Sequence, residues 1–247
     1  MASMIAESAK VGADTSLGHF CVIGEHVQIG NGCRIGHHVI IHDDTIIGDG
    51  STIDDHAVLG KPPLRSRSMA VDPKGNLPAL KLSDHVVVGT GAIIFRGSTV
   101  GENSLVADLA SLRENVSIGG NTIIGRGVAV ENAVKIGDSC KIEAGAFICA
   151  HTTIEDNCFV APEVTLTNDN FLGRTEERKL YYSGTTIRRG GRIGANATIL
   201  PGKTVEAEGV AAAGSVVTKN IESGRIVAGV PAKDIKAVPE NQQLSSS

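Results

Sequence analysis

VGTGAIIFRGSTVGENSLVADLASL (residues 88–112) carries an aliphatic residue at every sixth place: Val88, Ile94, Val100, Val106 and Leu112. The count continues without a miss through Ile118, Ile124, Val130, Ile136, Ile142, Ile148, Ile154, Val160 and Leu166. Helices repeat near 3.6 residues and strands near 2, so neither alone keeps a strict period of six. A short strand followed by a turn of constant length does. This is the signature of a parallel β-helix, three-sided in section, with one hexad per side and about 18 residues per coil.

Outward from this stretch, the same count holds at the N-terminal end through Val11, Leu17, Ile23, Ile29, Ile35, Ile41, Ile47, Ile53 and Leu59, with Gly next in seven of these nine hexads. It lapses over residues 61–86, which are rich in proline, and again over 167–186, which hold both tyrosines. It returns at Ile187, Ile193, Ile199, Val205, Ala211 and Val217. The expectation is an all-β chain of about ten triangular coils over residues 1–217, with excursion loops at 61–86 and 167–186 and an extension at 218–247. Within that extension, Pro231 and Pro239 bracket a short helix expected around Ala232–Val238. Lys203 falls in an inward slot, so either its coil is distorted or its ammonium escapes to the edge.

Composition agrees. Aromatics make up only 3% and there is no Trp, as suits a narrow prism filled by Ile, Val and Leu. Thirty glycines suit repeated tight corners. A net charge of −4 argues against a broad nucleic-acid footprint. No apolar run reaches membrane-spanning length, and MASMIAESAK lacks the features of a signal peptide. Cys21, Cys33, Cys140 and Cys158 occupy the second inward slot of their hexads and read as small core residues; Cys149 lies one place after Ile148, outside that pattern. A reducing, cytoplasmic setting is expected.

Residues one coil apart sit above one another, so phase converts to proximity. His151 and Asp169 are three places after Ile148 and Leu166, which predicts an imidazole and a carboxylate on adjoining coils, suited to a general base and its orienting acid. Asn132 and Asn168 share the neighbouring phase. The alternative is that a polar corner residue merely faces water. His37 and His42 in IGHHVIIHDD, with His19 one coil earlier as a third, offer a second grouping, similar to the zinc site of γ-class carbonic anhydrases; solvated turn histidines are the competing reading, and no metal is expected. Lys61, Arg65 and Arg67 form a basic group that suits a phosphate.

The segments FVAPEVTLTNDN (159–170), GRTEERK (173–179), IGANATILPG (193–202), AAAGSVVTKNI (211–221) and IVAGVPAK (226–233), in this order, resemble the left-handed β-helix acyltransferases, and among them the N-acetyltransferases of nucleotide-linked amino sugars. The coil after IGANATILPG departs from that pattern, reading KTVEAEGV without the usual Gly after its aliphatic. The resemblance implies a left-handed coil, a homotrimer with sites between prisms, and an acyl-CoA as co-substrate, with no membrane or nucleic-acid partner. It implies backbone contacts to the pantetheine arm from Ala195, Asn196, Ala213 and Gly214, and places Lys219 and Arg225 near the phosphates. The 167–186 loop, with Asn168, Arg174 and Arg178, is implied to border the acceptor. Other small acceptors taking an N- or O-acyl group, and a γ-carbonic-anhydrase-like metalloenzyme, remain as alternatives.

Overall fold

The computed structural model describes residues 3–64 and 77–244. The chain is a parallel β-helix, divided into two compact units, Met1–Gly127 and Val128–Ser247.

In the first unit every strand is short and its partner lies one coil on. Sheet A stacks Met4–Ile5, Val22–Ile23, Ile40–Ile41, Val58–Lys61, Ile93–Phe95 and Ser111–Leu112. Sheets B and C repeat the arrangement on the other two sides. Val22 pairs with Ile40 and Ile23 with Ile41, the 18-residue step expected from the period. Amides of one coil donate to carbonyls of the next, as from Met4 to Cys21 at 2.8 Å and from Ala6 to Ile23 at 3.0 Å. Of the two residues in a strand, the second points inward. Ile41, Ile47, Ile53 and Leu59 are among the fully buried side chains, each worth about 1.5–3 kcal/mol over the exposed state.

The second unit repeats this. Sheet A runs Ala129–Val130, Phe147–Ile148, Thr165–Leu166, Thr198–Ile199 and Val216–Val217. Sheet C ends on Arg225–Gly229, which is met by the antiparallel strand Ala232–Ala237 across a cis Val230–Pro231 bond. The stretch expected to be helical is therefore a strand. Its partner strand extends sheet C, Val227 pairing with Ala211, and Val238 is buried just beyond it.

Three boundaries differ from the sequence reading. Met4–Ile5 already forms a rung, six residues before Val11. The frame resumes at Leu82 rather than Val88, because Leu80 and Leu82 fill the two inward slots and Lys81 pairs with Ile46 and Thr99. At the far end, Ile221 bridges to Val205, so the coil continues past Val217 in shortened form. Lys203 stays in an undistorted coil, half-buried, its carbonyl accepting from the Thr186 amide at 3.0 Å. All five cysteines are buried thiols. Cys149 fills the slot after Ile148, its sulfur 3.3 Å from the Thr152 hydroxyl.

Candidate functional site

The site-bearing corner of the second unit follows sheet A. Its αL position, three residues after the aliphatic, is held by Ala133 (φ 58°) and then His151 (φ 63°). The His151 amide donates to the Asn132 carbonyl at 3.2 Å, and the imidazole is exposed. The same backbone position is taken by His26, His38, His56 and His85. His, like Asn and Asp, is among the non-glycine residues enriched with positive φ, so the corner alone accounts for a histidine here.

Asp169 does not stack on His151. After Leu166 the chain leaves the prism and returns at Thr186, which pairs with Thr153. The residue over the His151 corner is Gly184: a Cβ built on it would lie 2.4 Å from the His151 carbonyl carbon and the Thr152 amide nitrogen. The inserted loop broke the one-coil step three residues before it was needed. The Asp169 carboxylate instead accepts from the amides of Phe171 (2.8 Å) and Gly173 (2.9 Å) and from Arg178 Nη1 (3.2 Å). Desolvation pushes its pKa up, but the two amides and the guanidinium outweigh that and hold it below the usual carboxylate value.

Arg178 therefore organises the loop from within. It lies over the Tyr182 ring, 5.5 Å from its centre, and also meets the phenolic oxygen. Phe171 and Tyr181 pack at 5.8 Å, and the Asn168 carbonyl accepts from Ser183 at 3.3 Å, closing the loop neck. Arg174 is exposed, while Leu172 and Leu180 stand almost fully in solvent.

The residues expected near an acyl-CoA fall into two groups. Ala195, Asn196, Ala213 and Gly214 share the corner between sheets C and A; Gly214 donates to the Ala195 carbonyl at 2.8 Å and Asn196 to Pro162 at 3.1 Å. Lys219 and Arg225 line a cavity of about 510 Å³ at the last coil, with Lys233, Asp234 and an apolar floor that includes Val217 and Pro231. Arg225 is clamped there by Asp234, with Nε donating at 2.9 Å, and the guanidinium holds that carboxyl below its ordinary range. Lys233 is the cavity cation the sequence reading missed; an expected helix concealed that it sits on a strand bordering the same cavity as Lys219.

The histidines near the N-terminus do not converge. His37 Nδ1 accepts from the His19 amide at 2.9 Å and the two rings stack at 5.3 Å. His42 stands on another corner, after sheet A rather than sheet C. Among the described residues no three His, Cys, Asp or Glu side chains gather in a metal-holding group. No helix among them is long and apolar enough to cross a membrane. Arg65 and Arg67 lie outside the described residues.

With this geometry in view, residues 2–43, 26–61 and 133–168 match the bacterial transferase hexapeptide family (six repeats), and residues 114–150 match the hexapeptide repeat of succinyl-transferase. These matched repeats cover just under half of the chain. The chain is 36% identical over 94 residues to galactoside O-acetyltransferase of Escherichia coli K12, a match covering 37% of this chain and 46% of that enzyme. The solved structure of Arabidopsis UDP-N-acetylglucosamine acyltransferase superposes with TM-score 0.61 at 19% identity, covering 96% of this chain and 73% of that one. A variant of AntD, an N-acyltransferase from Bacillus cereus in complex with dTDP-4-amino-4,6-dideoxyglucose and coenzyme A, gives TM-score 0.50 at 25% identity, covering 58% and 84%. The chain thus spans less than half of the curated relative.

Proposed function

We propose that this chain is a hexapeptide-repeat transferase that moves an acyl group, most simply acetyl, from coenzyme A to the amine of an amino sugar carried on a nucleotide. The observation carrying the reading is the last-coil cavity, where Lys219, Lys233 and Arg225 border an apolar floor. That pairing suits a donor with phosphates at one end and a long arm of low polarity. The arm would run past the backbone of Ala195, Asn196, Ala213 and Gly214. The B. cereus neighbour, solved with an amino-sugar nucleotide and coenzyme A, supports the acceptor class. A hydroxyl acceptor is the second reading, favoured by the E. coli relative's O-acetyl transfer.

A thioester is already activated, so no covalent enzyme intermediate is needed. Holding amine and thioester in line lowers the barrier by several kcal/mol. In this reading His151 takes the proton from the attacking amine, with no aspartate behind it, and a backbone N–H of a late coil meets the developing oxyanion. Asn132, Asn168 and Arg174 flank the acceptor, and Arg178 acts indirectly by shaping the loop. Three copies would complete the site between neighbouring prisms, and light scattering of the purified chain reads their number.

The test is release of free thiol from acetyl-CoA against a panel of amino-sugar nucleotides and simple galactosides. Thiol release with an amino-sugar nucleotide is expected; release only with hydroxyl acceptors transfers the conclusion to the second reading. His151→Asn keeps a residue at ease in the αL corner and is expected to lower turnover by about 10²–10⁴-fold. Unchanged turnover across pH 6–9 would remove His151 from the chemistry.

A further inference from the structure

In Met1–Gly127 the corner after sheet A breaks its own rule. The slot following the aliphatic holds Gly24, His42, Gly60, Phe95 and Arg113 in successive coils, and the next slot holds Glu25, Asp43, Lys61, Arg96 and Glu114. Gly60 adopts φ 71° and the strand slips register there, so that Lys61 rather than Gly60 stands opposite Phe95. Bulges of this kind re-aim side chains. Here the bulge brings the Lys61 ammonium 5.2 Å from the centre of the Phe95 ring, while Arg113 approaches the same ring at 5.4 Å from the next coil.

The cations are held in place. Arg113 donates from Nε (3.0 Å) and Nη2 to the Glu114 carboxylate, which is only 5% exposed. A buried ion pair is a poor source of stability, but it fixes the guanidinium plane. Arg96 ties both ends of the excursion loop, its amide donating to the Lys61 carbonyl and its Nε to the Leu77 carbonyl, with Asp44 at 3.4 Å. Burial, Lys61 and Arg96 lower the His42 pKa, against the pull of Asp43. Glu114 is committed to Arg113 and Asp44 to Arg96. Among the described residues no carboxylate pairs with Lys61.

We propose that this corner binds a phosphate-bearing small molecule, with Lys61 and Arg113 as the charge and Phe95 as the platform between them. The site stands apart from the acyl-transfer reading and does not depend on it. Two sources carry the chemistry: the diphosphate of a nucleotide and the phosphates of coenzyme A.

Thermal unfolding of the full chain tests it, because a ligand bound only by the folded state raises the melting temperature. Inorganic pyrophosphate at ~10 mM is expected to raise Tm by at least about 2 °C. Lys61→Gln should lose most of that shift, Lys61→Arg should retain it, and Lys81→Gln, an exposed lysine on sheet B of the same unit, should leave it intact. UDP and coenzyme A then distinguish the sources: the one whose shift disappears in Lys61→Gln is the occupant class. No shift with any of the three probes, or shifts equal in Lys61→Gln and the unaltered chain, overturns the proposal.

Discussion

Glycine after the aliphatic carries the hexad, and its role is steric. The Asp43 amide-facing oxygen accepts from Glu25 N at 2.9 Å, Asp55 accepts from His37 at 2.6 Å, and Asp108 from Thr90 at 2.9 Å. Each such oxygen occupies the space a Cβ would take on the glycine one coil back: 2.2 Å at Gly24, 2.4 Å at Gly36, 2.4 Å at Gly89. A second set of glycines has positive φ and open surroundings, such as Gly32 at 63°. Gly24→Ala should therefore cost about 1–3 kcal/mol by urea denaturation, while Gly32→Asn should stay within about 0.5 kcal/mol. The sequence alone shows thirty glycines suited to corners; separating crowded ones from conformational ones needed the neighbour a coil away. His42 adds a pH signature. Burial puts its folded pKa below the ordinary histidine value of about 6.5. Between those two values the unfolded chain binds more protons, so stability falls as pH drops below about 6.5 and is unaffected above it. The urea midpoint measured from about pH 7.5 to 5 should show this slope, and His42→Gln should flatten it.

The loop after Leu166 shows where phase reading stops. Its exit and return were legible, because aliphatics mark both ends. Its interior was not, because nothing in a six-residue count describes a segment that has left the lattice. Asp169 was placed over His151 by arithmetic, whereas its carboxylate closes the loop on itself through Phe171, Gly173 and Arg178. Asp169→Asn should speed tryptic cleavage at Arg174, Arg178 and Lys179 several-fold while leaving the melting of the coils in place. Cleavage at the unaltered rate would mean the Tyr181 and Tyr182 packing suffices. The final hairpin was misread for a related reason. Ala232–Val238 has helix-compatible composition, but the Arg225–Asp234 pair and the ladder to Arg225–Gly229 decide otherwise, and these are contacts to residues outside the segment itself.

Across the whole chain, stability is assembled coil by coil, each contacting its neighbours. Truncating an interior layer and an end layer should differ sharply. Ile94→Ala, at a position with no exposure, is expected to cost about 2–5 kcal/mol. Val11→Ala, at a position 38% exposed, is expected to cost under about 1 kcal/mol. Amide exchange should run in the same order, fastest at Met4–Ile5 and slow through the interior rungs of its unit. The fold class, the inward residues and most rungs were readable because a constant period repeats one local solution. The catalytic assignments were less so, because a corner that favours histidine for backbone reasons looks the same as one that employs it.

A constant six residues per side makes the prism behave like a combination dial. Excising residues 137–142 would leave the hydrophobic interior in phase, yet turn everything downstream by one third of a revolution. His151 and the loop after Leu166 would then turn together onto a different edge from the one Asn132 occupies, and the His151 amide would lose the Asn132 carbonyl. Excising a full lap of eighteen would restore the alignment with one lap fewer. In such a protein, deletions that are gentle on folding can still misdirect every functional group that follows, and only the size of the cut decides which happens.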